Sequence, residues 1–230
     1  MFTSALIVGA NGRLARNLIH ALSLHSSQPF IHAFLRNPRA LPPHLAKQCH
    51  SVQKGDARYP DHILHALRRT NPTHVIIALG SPSASSASTV RTRSATAITH
   101  ALSIYKKPVN VVVVSCVGAG DTVVNFGYGL GAYVNYTMRH VIRDHNGQEK
   151  RFRKCFEGAK ERLLIVRPVA LTDGKGTTGH AQLSTFDGKG RTPYCKLDRH
   201  DVAHWIADQV CDNTVYFGKC VNLAKAYERK

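Results

Sequence analysis

Two periodicities alternate along this chain. Residues 5–8 are a continuous apolar run, Ala-Leu-Ile-Val, the pattern of a strand buried on both faces. From Gly12 to residue 24 the apolar positions switch to helical spacing, with Leu14, Leu18, Ala21 and Leu22 on one face. The alternation then repeats. Strands are predicted at 30–35, 49–53, 74–79, 109–115, 163–166 and 219–223, and helices at 61–69, 89–105, 133–161 and 199–210, the third weakened near Gly147. The clearest strand is 109–115, whose β-branched, non-alternating residues suit the interior of a parallel sheet. Strands alternating with helices predict an α/β fold: a doubly wound parallel sheet with helices on both faces, in a single domain over 1–230. The glycine-rich stretch 118–131 and the loop-like stretch 171–193 break the pattern. The part from about 118 to 230 is therefore expected to supply the substrate side of any site.

The first strand–helix junction carries chemistry. It reads Gly9-Ala10-Asn11-Gly12-Arg13-Leu14-Ala15, a G-x-x-G-x-x-A spacing. Gly9 permits the tight turn, Gly12 lets a pyrophosphate approach the backbone, and the small Ala15 lets the helix lie close to the strand. Unpaired amides at the helix start and the helix dipole then favour an anion. Glycine pairs occur in ordinary turns, so the motif gains its meaning from following a strand and opening a helix. After the second strand come Arg36 and Arg39, with no acidic residue between them. In a dinucleotide-binding fold an acid there would take the ribose 2′-hydroxyl of NAD, whereas arginine accommodates the 2′-phosphate of NADP. NADPH is the expected cofactor.

Composition narrows the classes. With 31 Lys+Arg against 14 Asp+Glu, the formal charge is +17, which draws anionic ligands. The basic residues are spread along the chain, and the densest patch, 150–160, lacks interleaved stacking aromatics, so a specific nucleic-acid site is not expected. The six cysteines form no C-x-x-C pair, which points to reduced thiols and a cytoplasmic setting. No basic stretch followed by an apolar run opens the chain, so no signal peptide is expected. No apolar run is long enough to span a bilayer. His62 and His65 have no obvious ligand partners, and His200-Asp-Val-Ala-His204 lacks the glutamate of a zinc helix. No metal site is expected.

The chain resembles the atypical short-chain dehydrogenase/reductase group with an NmrA-like Rossmann domain, and within it the flavin reductase/biliverdin IXβ reductase family. The likeness rests on the first turn, on Leu35-Arg36-Asn37-Pro38, Gly55-Asp56, Leu79-Gly80-Ser81, Val114-Ser115-Cys116 and Val166-Arg167-Pro168. It extends through Asp187-Gly188-Lys189-Gly190-Arg191 and Arg199-His200-Asp201-Val202-Ala203. The resemblance implies that Gly9, Asn11, Gly12, Arg13 and Leu14 hold the pyrophosphate and that Arg36, helped by Arg39, holds the 2′-phosphate. It places Asp56 and Ala57 at the adenine, Leu79 and Gly80 under the ribose, Ser115 beside the nicotinamide, and Pro168 and Val169 along its face.

One departure concerns the proton donor. Many short-chain dehydrogenases use Tyr-x-x-x-Lys, but no tyrosine here has lysine four residues on. Tyr136 meets His140, Tyr133 meets Thr137 and Tyr128 meets Ala132. The flavin/biliverdin reductase type also lacks the dyad. Hydride transfer to a conjugated acceptor spreads charge over a delocalised system and can proceed without a strong acid. Ser115 is the first candidate for positioning the reacting groups, while Tyr128, Tyr133, Tyr136 and His145 offer acids or stacking walls. Lys150 and Arg153 could meet an acidic substrate, against the simpler reading of a solvated helix face. The leading expectation is an NADPH-dependent reductase of a conjugated, anionic small molecule such as a flavin, quinone, tetrapyrrole or pathway intermediate. A non-catalytic NADP(H)-binding sensor of the NmrA kind and an isomerase or cyclase on the same fold are the alternatives. A monomer or weak homodimer is expected, acting on a small molecule away from membranes.

Overall fold

The computed structural model describes residues 2–80, 88–127, 129–174, 183–188, 190–193, 196–212 and 215–225. Its centre is an eight-stranded sheet. The strands are β1 (Ser4–Val8), β2 (Phe30–Leu35), β3 (Ser51–Lys54), β4 (His74–Ile77), β5 (Asn110–Val114), β6 (Leu163–Pro168), β8 (Leu183–Phe186) and β10 (Cys220–Lys225). They lie in the order β3-β2-β1-β4-β5-β6-β10-β8. A separate two-stranded ladder joins β7 (Leu171–Thr172) to β9 (Leu197–Asp198). Helices α1 (Arg13–Leu24), α2 (Pro43–Gln48), α3 (Pro60–Thr70), α4 (Val90–Tyr105), α5 (Leu130–Thr137), α6 (Arg139–Cys155) and α7 (Arg199–Cys211) complete the described elements.

The continuous apolar strands make sense because successive side chains point to opposite faces, and both faces are covered. Ala5 and Ile7 of β1, Ile76 of β4 and Val112 of β5 pack with the buried residues of α1 and α7. Leu6, Val8, Val75, Ile77, Val111 and Val113 pack on the other side with α3, α4 and Phe152 of α6. The amphipathic α1 buries Leu14, Leu18, Ala21 and Leu22, as its spacing predicts. Strand order reverses beside β1, where β2 leads one way and β4 the other. A crevice forms at the carboxyl ends of such strands.

The structure departs from the sequence reading in several places. The third strand runs over Ser51–Lys54, two residues later than predicted. The connection at Pro42-Pro43 contains α2, whose first residue is a proline already fitted to helical φ. The segment 133–161 is two helices, α5 and α6, meeting at Met138, followed by a short 3-10 turn at Lys160–Arg162. Within the stretch expected to be loop, β8 pairs antiparallel with β10, so the sheet is mostly rather than wholly parallel.

Gly147 does not weaken α6. It sits where α6 crosses α4, and a side chain there would overlap Thr92. The glycine permits close approach of the two helices. Nearby, the Asp144 carboxylate accepts the backbone amides of Arg91 and Thr92 at 3.0 and 2.8 Å. It thereby satisfies donors that the start of α4 would otherwise leave open.

Candidate functional site

A cavity of about 840 Å³ opens at the carboxyl ends of β1, β2, β4 and β5 and under the segment after β6. Its floor is the first turn. Gly9 has φ +89°, and a Cβ there would lie 3.0 Å from the Ala78 carbonyl oxygen, so glycine is required by both conformation and space. At Gly12 a Cβ would come within 3.2 Å of the same oxygen. The Gly12 amide is used within the turn, donating to the Gly9 carbonyl at 2.9 Å. Helix α1 then begins with no side-chain cap and no acidic residue in its first turn. Its opening amides keep their positive potential facing the cavity. Asn11 Oδ1 is held by Arg16 at 2.7 and 3.2 Å, which fixes the loop's outer edge.

Of the residues expected to hold the dinucleotide, all but Arg39 line this one cavity: Gly9, Asn11, Gly12, Arg13, Leu14, Arg36, Asp56, Ala57, Leu79, Gly80, Ser115, Pro168 and Val169. Arg39 is exposed and outside the lining, and its amide donates to Asn37 Oδ1 in the turn after β2. Arg58, absent from the sequence reading, lines the cavity instead. It grips Asp56 through both carboxylate oxygens at 2.6–3.1 Å. The Arg58 hydrogen bonds, with Arg36 close enough to add its charge, hold the Asp56 carboxyl below its ordinary pKa. His62 accepts the Asp56 amide through Nδ1 at 3.2 Å. Across the mouth, Arg13 Nη1 and Arg199 Nη1 each meet an oxygen of Asp173 at 2.6 Å. The pairs tie α1, α7 and the segment after β7 together at the cavity rim, where exposure keeps each worth little to stability.

At the other end of the cavity, Ser115 closes β5. Its hydroxyl donates to Glu149 Oε1 at 2.6 Å. Glu149 also accepts Arg167 Nε at 2.9 Å on Oε1 and Arg167 Nη2 at 2.6 Å on Oε2, and Arg167 Nη1 reaches Asp121 at 2.6 Å. Glu149 and Arg167 are both 1% exposed. Burial opposes the Arg167 charge, but Glu149 and Asp121 outweigh it and raise the guanidinium pKa above its usual value. Removing one partner would leave an uncompensated buried charge, a loss of about 3–5 kcal/mol. Glu149 was invisible in the sequence because it stands in a basic helix, 34 residues from Ser115. The one hint is that His145, Glu149 and Phe152 share a helical stripe, as do Asp144 and Gln148, and all five are buried.

The other proposed acids are placed differently. Tyr128 lies outside the described residues. Tyr133 and Tyr136 are each 66% exposed and do not line the cavity. Tyr136 instead stacks under the Arg139 guanidinium at 4.3 Å. His145 does line the cavity, but burial and then the nearby Arg91 charge push its pKa down to about 3. The neutral ring is the form present near neutrality, which withdraws His145 as an imidazolium acid there. Cys116, also in the lining, is pushed up to about 12, chiefly by burial, so its thiol stays protonated. Lys150 and Arg153 lie outside the lining, and Arg153 turns to Glu149 at 3.6 Å and to Cys220 Sγ at 2.9 Å. No helix among the described residues is long and apolar enough to cross a membrane.

Comparison with known proteins places this geometry. Three solved structures share the fold. A short-chain dehydrogenase/reductase from Veillonella parvula, solved in complex with NADP, is 18% identical, with TM-score 0.76 over 98% of this chain and 95% of that one. The anaerobillin reductase ChuY from Escherichia coli O157:H7 is 17% identical, with TM-score 0.71 over 99% and 100%. A candidate NADH-flavin reductase from Streptococcus pneumoniae is 13% identical, with TM-score 0.68 over 97% and 99%. No curated protein sequence matches the chain. The NAD(P)H-binding family profile matches residues 9–213, from the first glycine of the turn to just past α7, and the chain belongs to that family of Rossmann-fold proteins.

Proposed function

We propose that this protein is an NADPH-dependent reductase of a conjugated small molecule of the flavin, quinone or tetrapyrrole kind. The observation that carries the reading is the composition of the cavity's two ends. One end has the glycine cradle and the cations Arg36 and Arg58. The other has Val114, Phe126, Val134, Met138, Val141 and Val169, apolar surface beside the oriented Ser115 hydroxyl. The cradle fits a pyrophosphate because Gly9 and Gly12 let the turn pack tightly against the Ala78 carbonyl, where a Cβ would crowd it, and so present the uncapped start of α1 to the cavity. Arg36 fits a 2′-phosphate while Arg58 neutralises Asp56, and Ala57 and Leu79 fit the flat faces of an adenosine. The names of the structural neighbours, an NADP complex, an anaerobillin reductase and a candidate NADH-flavin reductase, support the reductase part of the reading.

The bound dinucleotide supplies the hydride. The chain's own residues bind and orient. The Ser115 proton is directed to Glu149 Oε1, so the serine oxygen is left to accept a hydrogen bond from a group in the cavity. Arg167 and Asp121 fix Glu149, and through it the rotamer of Ser115. At the Ser115 end of the cavity Cys116 and His145 hold their protons unchanged near neutral pH, so the proton comes from solvent after charge has spread through the acceptor.

Oxidation of NADPH by the purified protein, with flavin, quinone and linear tetrapyrrole acceptors assayed in turn, tests this. Consumption of NADPH matched to reduction of at least one acceptor is expected. NADPH binding without reduction of any acceptor would make the protein a sensor. Product formation without net NADPH consumption would make it an isomerase or cyclase.

A further inference from the structure

We propose that Arg91 and Ser94, on the first turns of α4, form a subsite for a carboxylate carried by the substrate. The proposal rests on the reductase reading only in assuming that the substrate enters this cavity. Both residues line it, at 8% and 0% exposure. Three residues apart on a helix, they share one face. Arg91 Nε and Ser94 Oγ are buried, and neither has a hydrogen-bond partner among the described residues. The guanidinium has one long ion-pair contact, Nη1 to Asp144 Oδ2 at 3.5 Å. That carboxylate is already engaged by the backbone amides of Arg91 and Thr92.

A buried cation with an unmet donor is costly, and an arriving anion offsets that cost. A planar carboxylate matches the guanidinium fork. The neighbours of Arg91 in the lining do not compete for the role. Burial and the Arg91 charge keep His145 neutral, and burial keeps the Cys116 thiol protonated. Met138 and Val141 bring apolar surface to the same cavity. The arrangement suits a flat, conjugated body with an acidic substituent. The glycine cradle belongs to the turn after β1, whereas Arg91 reaches the cavity from α4. The two anion-binding features therefore come from different elements.

Anthraquinone-2-carboxylate and anthraquinone-2-carboxamide, titrated by calorimetry into the wild-type protein and into Arg91→Met and Ser94→Ala, test the subsite. One series is run with NADPH and one without. A charge-assisted hydrogen bond of ordinary strength predicts that the wild type prefers the carboxylate by about ten- to a hundredfold. In Arg91→Met the preference should collapse to within about threefold, with the carboxamide and NADPH affinities unchanged. In Ser94→Ala it should fall part of the way, which keeps the test decisive if Arg91→Met does not fold. The proposal is overturned if the wild type shows no preference or binds neither probe. It is also overturned if Arg91→Met keeps the preference, or keeps it while losing NADPH affinity, since Arg91 would then serve the dinucleotide. Failure of NADPH to bind would defeat the reductase reading alone, because the dinucleotide-free series still reads the subsite.

Discussion

At the residue scale, cofactor preference should turn on Arg36. It is exposed and lines the cavity close to Asp56, which Arg58 already neutralises. Arg36 is therefore the cation left to meet an added phosphate. A charge-assisted hydrogen bond contributes about 1.5–3 kcal/mol, and solvent screening places an exposed one at the low end. Arg36→Ala should weaken NADPH about tenfold and leave NADH unchanged within about twofold, as read by fluorescence titration. Equal weakening of both would show that Arg36 does not meet the 2′-phosphate. Arg36 could be read from the sequence because it sits at a fixed place after the second strand. Arg58 could not, because its relevance comes from folding back over Asp56. The Ser115–Glu149–Arg167 network was hidden for a related reason. Its members lie just after β5, on α6 and on β6, and a lone glutamate among lysines and arginines looks solvated until tertiary packing buries it.

At the element scale, α6 is where pattern reading failed most. Its abundance of charge suggested a solvated helix, but only one face is solvated. The other places Asp144, His145, Gln148 and Glu149 in the interior, where two of the four carry the caps and ion pairs described above. Polar residues at helical spacing leave no hydrophobic signal, so periodicity cannot register them. Gly147 follows the same logic: helix propensity marks it as a defect, and packing against Thr92 makes it a requirement. Gly147→Val tests which view holds. Propensity alone predicts a gain of a few tenths of a kcal/mol. Overpacking against α4 costs about 1–3 kcal/mol, so the net expectation is a loss of about 1–2 kcal/mol. In a chain of this size that is a fall of roughly 2–8 °C in Tm. An unchanged or higher Tm by calorimetric scanning would mean that α4 and α6 are not held as close as the structure has them.

At the scale of the whole molecule, the parallel core could be read in the sequence because strands buried on both faces are written as unbroken apolar runs. The order β3-β2-β1-β4-β5-β6 also accounts for the position of the cavity, which lies where the order reverses beside β1. The edge of the sheet was harder to read. Leu183–Phe186 is four residues in a glycine-rich region, and its pairing with β10 is a long-range choice that local pattern does not encode. The net charge of +17 suits a protein that gathers anions, and the cavity turns that general attraction into a specific geometry. The claim on which the reductase reading depends is that a dinucleotide lies across the turn after β1. Calorimetric titration of NADPH into the wild type and into Gly12→Val, with circular dichroism to establish that the variant is folded, tests it directly. The Gly12 backbone, at φ −63° and ψ 149°, is open to valine in conformation, and a Cβ there would crowd the Ala78 and Gly9 carbonyl oxygens at 3.2 and 3.3 Å, so the substitution displaces the turn without requiring a forbidden conformation. One molecule of NADPH should bind the wild type, and the folded variant should lose at least about tenfold in affinity, the equivalent of roughly 1.4 kcal/mol. Unchanged NADPH affinity in folded Gly12→Val would contradict the account.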